Sequence, residues 1–84
     1  MGWTLRIARR VEKALQKLPA RDREVLAAAV QSLAENPFSG DIVRLKGSLV
    51  WRRRVGNYRI FFEVHLDTRV VDVEDLRRRT STTY

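Results

Sequence analysis

The sequence predicts an α+β domain: an N-terminal strand, a two-helix antiparallel hairpin, then a three-stranded antiparallel meander, with the helices packed on one face of the sheet. Three observations carry this reading. The apolar period changes from two to 3.6 near Ala8, two successive segments keep the helical period on either side of Pro19, and the rest of the chain returns to period two between turn residues. With 84 residues there is room for one domain, 1–84, and one modest core.

Trp3, Leu5 and Ile7 alternate with Thr4 and Arg6, the pattern of a strand with one buried face. Val11, Ala14, Leu15 and Leu18 then form one helical stripe, which Pro19 ends. Leu26, Ala29, Val30 and Leu33 repeat the spacing, with Val25 flanking, until Asn36-Pro37 stops the second helix. Phe38 to Gly47 reads as a loop that Ile42, Val43 and Leu45 pin to the core. Three strands follow, over 49–55, 58–64 and 70 to about 75. Gly56-Asn57 supplies the first hairpin turn because both residues tolerate positive φ, and Leu66-Asp67-Thr68 supplies the second.

Composition excludes several function classes. Without cysteine there are no disulfides, thiolate metal sites or thiol nucleophiles. A single histidine, His65, rules out a histidine-rich metal cage and a Ser-His-Asp triad, so no cofactor and no metal site is expected. No apolar run approaches the roughly 20 residues that span a bilayer, and the N-terminus has no signal-peptide pattern. The expectation is a soluble cytoplasmic protein with no membrane partner.

The net charge is +7, from 17 Lys and Arg against 10 Asp and Glu. Most of the excess lies after Val43, in the triplets Arg52-Arg53-Arg54 and Arg77-Arg78-Arg79. Such clusters attract polyanions, nucleic acid above all, although a solvated arginine-rich surface has the same composition. Strand alternation sharpens the choice. Trp51 and Val55 take the core side, which sends Arg52 and Arg54 to solvent and leaves Arg53 near an edge. Arg59 faces away from Tyr58, Ile60 and Phe62. If the hairpin pairs Val55 with Tyr58, Arg54 lies across from Arg59, and like charges so placed are destabilising. Three guanidinium groups on one face suit phosphate, which they bind bidentately. The alternative gives each arginine a private carboxylate, such as Glu63, Asp72 or Glu74.

The order of elements, the Leu18-Pro19 break, Arg44-Leu45-Lys46-Gly47, the segment Gly56-Asn57-Tyr58-Arg59-Ile60-Phe61-Phe62 and the arginine-rich end closing on Tyr84 together resemble the RelE/ParE superfamily of bacterial and archaeal toxins. The resemblance covers nearly the whole chain. It implies a toxin of a type II toxin-antitoxin system: in the RelE branch a ribosome-dependent endoribonuclease that cleaves mRNA in the decoding site, in the ParE branch a DNA gyrase poison without nuclease residues. A non-catalytic nucleic-acid-binding relative is a third reading. Carried over by position, the catalytic residues look like Arg52, Arg54, Arg59, one of the Arg77-Arg78-Arg79 triplet with Arg78 first, and Tyr84. Arg44, Lys46, Arg53, Arg77 and Arg79 are the expected RNA-binding set. The two strand positions are lysine in the best-known RelE pattern and arginine here. The resemblance implies two partners, a cognate antitoxin and the ribosome with bound mRNA.

Metal-free RNA cleavage by 2′-OH attack on the adjacent phosphate needs a base, an acid and positive charge around the phosphorane. The arginines supply the charge but, with a pKa above about 12, not the base. Tyr84, with an ordinary pKa of about 10, is the titrating group of the matched set. His65, beside a turn at the far end of its strand, reads as an exposed loop residue or as an acid-base group. Residues 80–84 lack a packing pattern and are expected to form a mobile tail.

Overall fold

The computed structural model describes residues 2–78. Its elements are β1 (Thr4–Ile7), α1 (Arg9–Gln16), α2 (Ala20–Ser32), β2 (Ile42–Arg44), β3 (Val50–Val55), β4 (Tyr58–His65) and β5 (Val70–Arg78). The two helices pack on a five-stranded mixed sheet of order β1-β5-β4-β3-β2. The expected α+β layering is therefore present, with two differences in the sheet.

The first is the sheet's extent. β1 joins it by pairing parallel with β5, Thr4 opposite Val70 and Ile7 opposite Val73. Ile42–Arg44, expected as loop, pairs antiparallel with β3 as an edge strand. At three residues between Gly40 and Lys46-Gly47 it is too short to display a period. Ile42 packs against the core as foreseen, while Val43 on the opposite face is 47% exposed.

The second is a β-bulge. β4 and β5 run in regular register from His65/Val70 to Phe62/Val73, but Phe61 then faces Asp75, so Glu74 is an extra residue on β5. A bulge reverses which side chains point to which face beyond it. Val71 and Val73 are buried before it, and Leu76 is buried after it. β5 also runs three residues further than expected.

The core lies where the helical stripes meet the inner sheet face. Leu26 and Val30 of α2, Leu33 just after it and Val11 of α1 close against Ile60, Phe62, Val71 and Val73, each at most 1% exposed. Burying a side chain of this size stabilises the fold by about 1.5–3 kcal/mol. Ala14, Leu15 and Leu18 pack at the margin. Pro19, with φ −56°, sits immediately before α2 and turns the chain between the helices. Phe38 wedges its ring edge-on between Trp3 and Trp51, at 6.1 and 5.4 Å between centroids, and so ties the 33–41 connection to the start of β1 and to β3. Among the described residues, no helix is long and apolar enough to cross a membrane.

Candidate nucleic-acid interface

The β3–β4 hairpin forms in the register its turn dictates, with Val55 opposite Tyr58, Arg54 opposite Arg59 and Arg52 opposite Phe61. Gly56 holds φ at +56°. Tyr58, Ile60 and Phe62 are buried beneath the helices, so their alternates Arg59 and Phe61 stand on the outer face. Continuing each row across the sheet gives Val43, Arg52, Phe61 and Asp75 in one, and Arg54, Arg59 and Arg77 in the next. Asp41 flanks the second row, its carbonyl accepting from the Arg54 amide at 2.9 Å.

Asp41, Val43, Arg52, Arg54 and Arg59 line an outer-face cleft of about 150 Å³. Arg54 Nε donates to Asp41 Oδ2 at 3.0 Å. Both side chains are more than half exposed, so this pair contributes little and yields readily to a stronger anion. Among the described residues, Arg52 and Arg59 form no ion pair. The carboxylates expected for these arginines are engaged elsewhere: Asp72 takes Arg6 in a two-pronged bond of 2.6 and 2.9 Å, and the Arg6 guanidinium holds its carboxyl below the usual carboxylate range.

Arg53 is on the other face. Its Nη1 donates to Ser32 Oγ at 2.6 Å and to the Ala29 carbonyl at 3.3 Å, and so bonds the sheet to α2. Gly40 makes room for it: a Cβ there would stand 2.8 Å from Arg53 Nε, and φ is +86°. Arg53, expected in the RNA-binding set, is thus separated from Arg52 and Arg54 by the thickness of the sheet.

The bulge decides the C-terminal arginines. Arg77 pairs with Arg59 on the outer face, and Arg78 pairs with Tyr58 on the helix side. Regular alternation from Val71 and Val73 would carry Arg78 outward; the extra residue Glu74 gives that place to Arg77. Arg77 bonds Asp75 Oδ2 at 2.9 Å and lies 5.6 Å above the centre of the Phe61 ring. Arg78 lines a groove with Asp22, Tyr58 and Leu76. There Tyr58 donates its hydroxyl to Asp22 at 2.9 Å, and that bond, aided by burial, raises the phenol's pKa. Arg44 is exposed on edge strand β2 and bonds the Ser48 carbonyl, and Lys46 is exposed in the following turn. Arg79 and Tyr84, with the expected mobile tail, lie outside the described residues.

Sequence reasoning missed Asp41 and Phe61 as members of this site. The Phe61 alternation was readable, but its contact with Arg77 depends on the bulge. Nothing in the local pattern around Ser39-Gly40-Asp41 marks the edge strand that brings Asp41 to Arg54. His65, expected as a loop residue or acid-base group, is instead the last residue of β4, half-buried and within 2.9 Å of Asp72.

Residues 5–82 match the family model described as the ParE toxin of the type II toxin-antitoxin system parDE. The chain belongs to the RelE/ParE toxin superfamily. It is 34% identical to the "Putative toxin RelE1" of Methanocaldococcus jannaschii, over 94% of this chain and 92% of that one. The superfamily fold is matched by the RelE–RelB complex of Pyrococcus horikoshii OT3, with TM-score 0.84, 26% identity, and coverage of 98% of this chain and 100% of that one. The RelB–RelE complex of Methanococcus jannaschii matches with TM-score 0.70 and 28% identity, covering 89% and 91%. The toxin fold thus carries its arginine-lined cleft on the sheet face that the helices leave open.

Proposed function

We propose that this toxin is a ribosome-dependent endoribonuclease that cleaves mRNA in the decoding site, with the outer-face cleft holding the scissile phosphate. The observation that carries the reading is the convergence of Arg52, Arg54 and Arg59 on one cleft, with Arg54 and Arg59 directly opposed across the hairpin. A fold that tolerates that repulsion gains from an anion placed between the two groups. Arg77 extends the same row, and it rather than Arg78 is the C-terminal arginine of the site. Phe61, between Arg52 and Asp75 and beneath Arg77, offers a stacking surface for a nucleobase.

In the reaction, the substrate 2′-OH gives up its proton to a base and its oxygen attacks the adjacent phosphorus. The bond to the 5′ oxygen breaks, the departing oxygen takes a proton, and a 2′,3′-cyclic phosphate and a 5′-OH result. The arginines hold the phosphate and stabilise the charge that builds on its oxygens. Asp41 orients Arg54. Tyr84 is the group offered as base, and neighbouring guanidinium groups would favour its phenolate. The ribosome supplies message geometry and part of the proton transfer, which fits a site so poor in titratable groups.

The partner in the resting state is an antitoxin bearing acidic and apolar residues. The two solved structures named above are complexes of RelE with RelB, and the exposed Val25, Phe38, Val43 and Leu49 offer apolar contacts. One observation favours the second reading, a gyrase poison: the matching family model is described as ParE. Primer extension on translated message, run beside a gyrase supercoiling assay, separates the two. Codon-aligned cuts with unimpaired supercoiling are expected; supercoiling inhibition without cuts overturns the nuclease.

A further inference from the structure

The alternation that turns Arg59 and Phe61 outward also turns out Glu63 and His65, at the other end of β4. Glu63 lies directly across from Asp72 on β5. His65 Nε2 stands 2.9 Å from Asp72 Oδ2 and 3.4 Å from Glu63 Oε1, and the three donor atoms all lie within 4.8 Å of one another. The side chains are 25–31% exposed.

Two of these separations are close to those of a coordination sphere. Zinc holds nitrogen and oxygen ligands at about 2.0–2.2 Å in a tetrahedron, whose ligand-to-ligand edges are then about 3.3–3.6 Å. Both His65 distances come within about half an ångström of that range. The donors also stand on rigid elements, two on one strand at i and i+2 and the third on its hydrogen-bonded neighbour. Arg6 grips Asp72 through both carboxylate oxygens and fixes its plane, as an outer-shell partner does for a metal-bound carboxylate. One imidazole with carboxylates suits zinc better than magnesium or calcium, which take six or more oxygens.

We propose that Glu63, His65 and Asp72 form a structural site for a zinc-class divalent cation, clasping β4 to β5. His65 binds through Nε2 as the neutral ring, with its proton on Nδ1. Glu63 is four residues from Arg59, about 13 Å along the strand, so the ion takes no part in chemistry at the arginine cleft. The chain has one histidine and no cysteine, and any zinc site with a nitrogen side-chain ligand must use His65.

The test is calorimetric titration of chelator-treated, full-length protein with zinc chloride. One equivalent is expected to bind saturably at micromolar zinc and to raise the melting temperature. His65→Ala and Glu63→Gln should each weaken binding by about tenfold or more. The absence of saturable binding, equal affinity for magnesium chloride, or unchanged affinity in folded His65→Ala protein overturns the site. Nitrogen NMR of the wild-type imidazole needs no variant: a shift at Nε2 on zinc addition supports the assignment, and an unchanged ring contradicts it.

Discussion

Arg53 and Arg54 are neighbours on one strand, and the fold gives them opposite roles. On the helix side of the hairpin two polar tips find protein partners: Arg53 bonds Ser32 and Ala29, and Tyr58 bonds Asp22. On the outer side Arg54 meets Arg59 across the ladder, and among the described residues Asp41 is the carboxylate that reaches into the cleft. A partnered arginine at a half-buried site holds the structure together. Arginines set against one another in a cleft, by contrast, cost stability, which the exposed Asp41 offsets only weakly. The same residue type is bonded into the structure on one face and opposes a like charge in an open cleft on the other.

The largest expected effect breaks the outer face. Arg59→Ala should slow message cleavage by about 100-fold or more in single-turnover kinetics, as loss of one donor to a developing oxyanion does. Its melting temperature should stay level or rise, since Arg54 loses an opposed like charge worth about 0.2–1 kcal/mol. Arg53→Ala should do the reverse. Losing the two guanidinium bonds to Ser32 and the Ala29 carbonyl, which stay bonded to each other, costs about 0.5–1.5 kcal/mol each in denaturant unfolding, with cleavage kept at temperatures where the variant is folded. Arg77 and Arg78 sharpen the comparison by the bulge alone: Arg77→Ala should lower cleavage about tenfold, and Arg78→Ala by clearly less.

The smallest effect is one of pH. The bond to Asp22 raises the Tyr58 pKa, so the fold favours the neutral phenol. Its contribution is therefore full below the unfolded value of about 10 and is lost as pH climbs through the folded value. Tyr58→Phe should lose part of this stability at neutral pH and flatten the alkaline fall in a melting-temperature profile.

Most of this arrangement was legible in the sequence because it rests on local rules. The two helical stripes, the Gly56-Asn57 turn and the facing of Arg52, Arg54 and Arg59 follow from period and turn chemistry. What escaped depends on contacts between distant segments. The pairing of β1 with β5, the edge strand that carries Asp41 and the approach of Asp72 to His65 leave no local trace. The bulge at Glu74 is a single extra residue in a run that reads as regular alternation, and it turns Arg77 rather than Arg78 to the outer face. Arg53 escaped because period two places it on the helix side but says nothing of Ser32 waiting there.

The central claim is that the outer-face arginines act as one phosphate site. A double-mutant cycle on Arg54→Ala and Arg59→Ala, read as single-turnover cleavage of ribosome-bound message by folded protein, tests it most directly. The two losses should be strongly non-additive, the double variant little worse than either single one. Losses that multiply independently, or singly mutated proteins that cleave at the wild-type rate, would contradict it.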